Sequence, residues 1–133
     1  MEILDPRAIA TPVYENLTEL RHSAQENLIL KQQKGQAVEL YTYLSTWGLL
    51  RLKAEEKALK SQPGKQAVVE KFFECLQNLQ KETGKTITGD SGLQALMELD
   101  TEEYLGLTGL ALKVAQEFSF WATAIYVDIK LED

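Results

Sequence analysis

The stretch from Leu99 to Lys130 constrains the fold most, because its apolar residues recur at helical spacing over nearly its whole length. One set recurs every three or four residues and defines a single helix face. Its members are Leu107, Leu110, Val114, Phe118, Trp121, Ile125 and Ile129. A second apolar set lies outside that face and comprises Leu105, Leu112, Phe120 and Val127. The pattern predicts one long helix that other helices wrap on most sides.

The start of this helix is marked by local signals. Asp100 is a suitable N-cap, and Glu103 stands three residues later, where its carboxylate can return a hydrogen bond to the amide of the cap residue. Leu99 and Tyr104 occupy the two positions of a hydrophobic staple across the same turn. These signals predict that the helix begins at the cap formed by Asp100.

The rest of the chain shows helical periodicity and no stretch of period two, which predicts an all-α fold. Thr11 and Pro12 suit an N-cap and a first helical position, while Gly48 in the middle of a helix indicates a kink or a close approach of a neighbour. The predicted elements are a flexible arm at residues 1–10, helices at 11–35, 36–60 and 65–84, a short helix at 91–98 and the C-terminal helix. The apolar side of the helix at 36–60 carries Leu40, Leu44, Trp47, Leu50, Ala54 and Ala58. The buried face predicted for the helix at 65–84 carries Val68, Val69, Phe72, Cys75, Leu76 and Leu79. We therefore expect residues 1–133 to form a single-domain compact bundle of about five helices around a long apolar C-terminal helix.

Composition excludes several classes of protein. The single cysteine, Cys75, excludes an intramolecular disulfide. The N-terminus lacks the basic and apolar regions of a signal peptide, and no apolar run is long enough to span a membrane. We therefore expect a cytoplasmic protein that does not contact a membrane. The net charge of −6 at pH 7 argues against a free-standing nucleic-acid binder, whose affinity depends on neutralising phosphates.

Four fragments resemble parts of catalytic or metal sites, and each has a simpler explanation. Gly89–Gly92 matches the tetrapeptide around a serine-protease nucleophile, but Asp90 or Ser91 is also a suitable helix N-cap. Gly84-Lys85-Thr86 lacks the first glycine of a phosphate-binding loop. The acidic cluster at 98–103 suits helix capping better than metal binding, and Cys75 lies in an apolar face. We expect no catalytic residue, metal, cofactor or small-molecule substrate.

Charge is unevenly distributed along the chain. Residues 31–85 carry ten basic and six acidic side chains, a net charge of +4. Residues 86–133 carry two basic and nine acidic side chains, a net charge of −7. This layout favours head-to-tail association of copies and a phosphate-facing patch on the middle helices. A monomer with an ordinary mixed surface is the alternative.

Two segments carry a resemblance to a known family. Residues 43–50, followed by Leu52 and Ala54, resemble a helix with an apolar-x-x-x-Gly-Leu pattern in the small α-helical subunit of type III-B CRISPR effector complexes, the Cmr small subunit. Residues 99–124 are similar to the C-terminal helix of that family, in which an acid, a Tyr-Leu-x-Leu-Thr run and an aromatic-Ala pair recur. Together, length, helix order and the lack of catalytic groups fit this family.

The resemblance implies a non-catalytic subunit that stacks in several copies along a guide RNA and its paired target RNA. Its partners would be further copies of itself and the other effector subunits, which would supply any nuclease activity. The RNA-binding candidates are Arg51, Lys53, Lys57, Lys60, Lys65 and Lys71. Family members often carry a basic pair just before the aromatic-Ala pair, but this chain has Phe118 and Ser119 there.

Two other functions remain open. A free-standing helical adaptor or regulator would bind a protein partner through an exposed apolar groove. A small enzyme or ligand-binding bundle would need an internal polar pocket, for which the candidates are Tyr41, Tyr43, Thr46 and Thr108.

Overall fold

The computed structural model describes residues 5–80 and 84–131, and this part of the chain contains helices and no β-strand. The helices are α1 (Arg7–His22), α2 (Asn27–Val38), α3 (Leu40–Trp47), α4 (Leu49–Ala58), α5 (Pro63–Leu79), α6 (Gly92–Met97) and α7 (Thr101–Ile125), with a 3₁₀ turn at Leu59–Ser61. The all-α prediction is confirmed for these residues. They form seven α-helices rather than about five, because two of the predicted helices are broken.

Helix α7 begins as predicted. The Asp100 carboxylate accepts a hydrogen bond from the Glu103 amide at 2.8 Å, and the Glu103 carboxylate accepts one from the Asp100 amide at 3.2 Å. The helix ends at Ile125 rather than at Lys130. The next residue, Tyr126, is buried and donates a hydrogen bond from its hydroxyl to the Gln33 side chain at 2.8 Å. The helix therefore ends where the chain makes this long-range contact with α2.

Only one face of α7 is buried, so the expectation that other helices wrap it on most sides is wrong. The buried residues are Leu107, Ala111, Val114, Ala115, Phe118 and Ala122. This face packs against α1, α2, α3 and α5. On the outer side, Leu105 is 64% exposed and Phe120 is 60% exposed. Among the described residues, α1 and α3 flank α7 but do not cover its outer side.

Helix α1 begins earlier and ends earlier than the sequence signals indicate. It starts at Arg7, whose amide donates to the Asp5 carboxylate at 3.0 Å, and Pro12 lies inside the helix. Ile9 is buried in the core, so residues 5–10 are not a separate arm, while residues 1–4 lie outside the described residues. The predicted helix over 11–35 is interrupted after His22, and the second part is α2.

The break between α2 and α3 is made by a side chain from α7. The Ser119 hydroxyl donates to the Ala37 carbonyl at 3.0 Å and accepts from the Tyr41 amide at 3.1 Å. Ala37 and Tyr41 are four residues apart and would bond to each other directly in a continuous helix. Insertion of a side chain into this ladder is a recognised cause of a kink. Neither proline nor glycine occurs between these two residues.

Gly48 makes the second break, between α3 and α4. Its φ is +90°, a conformation that other residues adopt only with strain. A Cβ built on Gly48 would have no atom within 4 Å, so the glycine serves a kink rather than a close helix contact. Because α4 starts anew here, Trp47, Ala54 and Ala58 are exposed, and the prediction that they face the core is wrong.

Replacing Ser119 with alanine removes the hydroxyl that joins α7 to the Ala37 carbonyl and the Tyr41 amide. We expect the free energy of unfolding to fall by about 1–2 kcal/mol, because two backbone groups lose their partner. Urea denaturation of Ser119→Ala measures this loss. Ser45→Ala is the matched control, since the Ser45 hydroxyl donates only within its own exposed helix. Equal urea midpoints for the two variants would contradict the role of Ser119.

Hydrogen bonds and an ion pair from cationic side chains of α1 and α2 attach the residues after α7 to the rest of the bundle. Arg21 donates to the Ile125 carbonyl at 2.6 Å and forms a two-pronged ion pair with Asp128. The Lys34 ammonium donates to the Ile129 carbonyl at 2.6 Å. Hydrogen bonding to Arg21 is the main reason that the pKa of Asp128 is lowered to about 2.

The Asp128 pair makes a pH-dependent contribution to stability. Because its pKa falls from 3.8 in the unfolded chain to about 2 in the folded protein, the pair stabilises the fold above pH 3.8. Its contribution is lost as the pH falls through about 2. We expect Asp128→Asn to be less stable than the unmodified protein at neutral pH and equally stable near pH 2. Chemical denaturation over this pH range measures the difference, and Asp90→Asn, in the exposed loop before α6, is the control.

Candidate nucleic-acid interface

The outer side of α4 and the following 3₁₀ turn carries three exposed cations. Arg51, Lys57 and Lys60 are exposed, while Leu49, Leu52 and Leu59 of the same segment are buried. The exposed positions between these cations include Ala54 and Ala58, which add little bulk. This segment therefore presents three positive charges to the solvent. We call Arg51, Lys57 and Lys60 the basic row.

Trp47 extends the basic row at the end of α3. The guanidinium carbon of Arg51 lies 5.1 Å from the centroid of the Trp47 ring, within the range of a cation–π contact. Trp47 is 53% exposed. Sequence periodicity missed this residue because it was assigned to the core-facing side of a continuous helix, and the break at Gly48 changes that side.

Lys53 was predicted to bind RNA, and the structure places it in the interior. Its side chain is 3% exposed, and its ammonium lies 2.9 Å from the Glu56 carboxylate. The ammonium also lies 4.7 Å from the centroid of the Phe73 ring on α5. A Cβ at Gly92 would lie 2.1 Å from the Ile87 carbonyl oxygen and 2.5 Å from the Lys53 side chain, so glycine is needed at the start of α6 because the Ile87 backbone cannot give way. Lys53 thus joins α4, α5 and α6.

The remaining two RNA-binding candidates, Lys65 and Lys71, lie on α5 and are less exposed than the basic row. Lys65 is partly exposed in the first turn of α5. Lys71 bonds to Glu19 on α1, and its ammonium lies 3.6 Å from the Glu74 carboxylate. Burial alone would lower the pKa of Lys71, but the hydrogen bond to Glu19 and the attraction of Glu74 outweigh it and raise the pKa. Of the six predicted residues, Arg51, Lys57 and Lys60 share one exposed segment.

A cavity of about 240 Å³ lies beside Lys53 and is acidic. Its lining residues are Glu56, Glu70, Phe73, Glu74, Thr88 and Gly89. Burial is the main cause of the raised pKa of Glu70, and repulsion by Glu56 and Glu74 adds to it. Carboxylates repel phosphate, so this side of the molecule is unsuited to a nucleic-acid backbone. None of the four residues proposed for an internal polar pocket lines this cavity.

The other chemical fragments have structural roles in the described residues. Cys75 is 1% exposed, and burial raises the pKa of its thiol to about 12. Ser91 is the N-cap residue of α6, although its side chain makes no capping hydrogen bond. Within residues 5–80 and 84–131, no group of three or more His, Cys, Asp or Glu side chains is placed to hold a metal ion.

A second exposed feature lies across α1 and α7. The rings of Tyr14 and Trp121 meet edge to face at 5.5 Å, and those of Phe120 and Trp121 do so at 5.1 Å. Tyr14 is 47% exposed and Phe120 is 60% exposed. We call Tyr14, Phe120 and Trp121 the aromatic surface.

No protein family, curated protein sequence or solved structure matches this chain. None of the helices in the described part of the chain is both long enough and apolar enough to cross a membrane.

The buried pair of Lys53 and Glu56 predicts different effects for two neighbouring lysines. Lys53→Met leaves the Glu56 carboxylate without its partner, so we expect the free energy of unfolding to fall by about 3 kcal/mol. Lys57→Met, at an exposed position, should change it by less than about 0.5 kcal/mol. Urea denaturation measures both. The double variant Lys53→Met/Glu56→Leu should recover most of the loss, and a double variant as unstable as Lys53→Met would refute this explanation.

Proposed function

We propose that this chain is a non-catalytic small subunit of a type III CRISPR RNA-guided complex, in which several copies stack along the duplex of guide RNA and target RNA. The proposal combines the family resemblance of residues 36–128 with one observation, the exposed basic row beside Trp47. Double-stranded RNA is recognised mainly through its shape, its phosphates and its 2′-hydroxyls. A row of cations on one helix suits such a backbone.

The proposed RNA contact is made by the basic row, with Lys65 following it along the chain. Lys53 and Lys71 are left out of the contact, since the ammonium of each already meets a carboxylate. Three phosphate contacts per copy give weak binding, and the net charge of −6 opposes it further. Binding in this proposal becomes useful when several copies lie side by side on one RNA.

Helix α7 does not supply the RNA contact in this proposal. The family often has a basic pair where this chain has Phe118 and Ser119. Phe118 is fully buried, with its ring 5.7 Å from that of Phe72, and Ser119 bridges α2 and α3. Cations at these two positions would have to enter the core, so the contact is assigned to α4.

A free-standing adaptor is the second candidate, and the aromatic surface favours it. Exposed aromatic rings are enriched in protein–protein interfaces. An adaptor of this kind would bind its partner through Tyr14, Phe120 and Trp121 and would be indifferent to RNA. The two candidates therefore use different helices, α4 for RNA and α1 with α7 for a protein partner, and can be separated by mutation.

The basic row predicts how assembly on RNA depends on charge. Replacing Arg51, Lys57 and Lys60 with alanine should reduce the guide RNA that co-purifies with the tagged subunit from its native host by at least about tenfold, because phosphate contacts are lost in every copy. RNA sequencing of the purified material measures this. In the triple variant, the dependence of the remaining binding on salt concentration should also weaken.

The matched control changes the same number of charges elsewhere. Arg7, Lys113 and Lys130 are exposed and lie outside α4. Their triple alanine variant should retain the guide RNA. Equal RNA recovery with both triple variants would refute the assigned interface, and absence of guide RNA from the unmodified subunit, with capture of a protein partner that depends on Phe120, would favour the adaptor.

A further inference from the structure

We propose that Trp47 is a stacking platform for an unpaired nucleobase and that Arg51 holds the adjoining phosphate. The inference rests on the proposed function and adds a contact to it, which forms where the bound nucleic acid has at least one base free of pairing. The observation behind this inference is the exposed indole of Trp47, which lies against Arg51 at the start of the basic row.

Trp47 differs from the other tryptophan of the chain in its surroundings. Trp121 is partly buried, donates a hydrogen bond to the Glu117 carboxylate at 3.1 Å and contacts the rings of Tyr14 and Phe120. Trp47 is 53% exposed, and its ring contact is with the guanidinium of Arg51. An indole with this exposure leaves a large flat apolar surface in water, which a base can cover.

Trp47 provides an aromatic ring for the base of a nucleotide, and Arg51 provides a cation for its phosphate. Aromatic rings bind bases by stacking, which tolerates any sequence, and cations bind the neighbouring phosphates. The contact between the guanidinium and the indole holds the two groups side by side. Lys57 lies six residues beyond Arg51, about 9 Å along the helix axis. At 3.6 residues per turn the two side chains also point about 120° apart around the axis, so a strand that places one base on Trp47 would reach Lys57 by curving around the exposed part of α4.

Helix α4 also carries two carboxylates, Glu55 and Glu56, which could repel an RNA strand bound at Arg51 and Lys57. Glu56 is turned inward to Lys53, where the two side chains are 14% and 3% exposed. Glu55 is partly buried and acts electrostatically on Tyr43, whose pKa is raised mainly by burial and also by Glu55. Of the two carboxylates, Glu56 is thus paired inside the fold, while Glu55 and Arg51 both act electrostatically on Tyr43.

An unpaired base is the form that fits. Within a duplex, both faces of each base are covered by stacked neighbours, so an indole can reach only a base at an end, in a bulge or in a single strand. The basic row itself makes no such distinction, because it contacts phosphates. Preference for a single strand therefore depends on Trp47.

Tryptophan fluorescence tests this inference directly, because the full chain has two tryptophans. In Trp121→Phe, emission reports on Trp47 alone. We expect a short unstructured RNA strand to quench this emission and a blunt RNA duplex of the same sequence to quench it far less, because only the two terminal base pairs of the duplex have an uncovered face. A DNA strand of that sequence should quench it as well, since stacking involves the base and not the 2′-hydroxyl. In Trp47→Phe, the remaining signal from Trp121 should not respond.

Affinity supplies the second measurement. Anisotropy of labelled RNA should show that Trp47→Leu binds the single strand about tenfold more weakly while its affinity for the duplex is unchanged. Circular dichroism of Trp47→Leu checks that the exposed substitution leaves the fold intact. Rescue by Trp47→Tyr, which retains an aromatic ring, separates stacking from a loss of bulk.

The outcomes distinguish the inference from the proposed function. Salt-dependent RNA binding that needs Arg51, Lys57 and Lys60 but is unaffected by Trp47→Leu, with no quenching, overturns the inference and leaves the proposed function standing. Lack of binding to the single strand at low salt also overturns the inference. Unchanged RNA recovery in the triple variant overturns the proposed function itself.

Discussion

Burial of the inner face of α7 is the interaction on which the rest of the structure depends. This face packs against α1, α2, α3 and α5, and its Phe118 ring meets the Phe72 ring of α5 edge to face. Burying a phenylalanine of this kind contributes roughly 1.5–3 kcal/mol. Helix α4 is tied to the same scaffold through its first turn, where the Leu50 amide donates to the Tyr104 hydroxyl at 3.1 Å. The position of the basic row thus follows from α7.

Positive charge is divided between the interior and the surface of this protein. Lys53 and Lys71 make contacts that connect helices, and their long apolar stems pack while their ammonium groups meet carboxylates. Arg51, Lys57 and Lys60 extend into water. Only the second group is available to a phosphate chain without breaking an internal contact. The basic region of the sequence covers residues 31–85, but the exposed cations of the basic row lie only within residues 51–60.

The candidate site could be predicted in part. The sequence shows the basic side chains of this segment, and the family resemblance predicts Arg51, Lys57 and Lys60, which are exposed, as RNA-binding residues. Burial of Lys53 could not be deduced, because it depends on Phe73 and on the space left by Gly92 on another helix. Exposure of Trp47 was also missed, since the periodicity of α3 was extended across Gly48.

Local signals in the sequence determined the helical class, the capping box of Asp100 and Glu103 and the buried face of α5, because each depends on residues within a turn or two. The tertiary structure decided where helices end. Ser119 lies 78 residues from Tyr41 and Tyr126 lies 93 residues from Gln33, yet the first contact lies in the break between α2 and α3 and the second lies at the end of α7. A hydrogen bond between such distant residues exists only once the core has formed, so no local pattern records it.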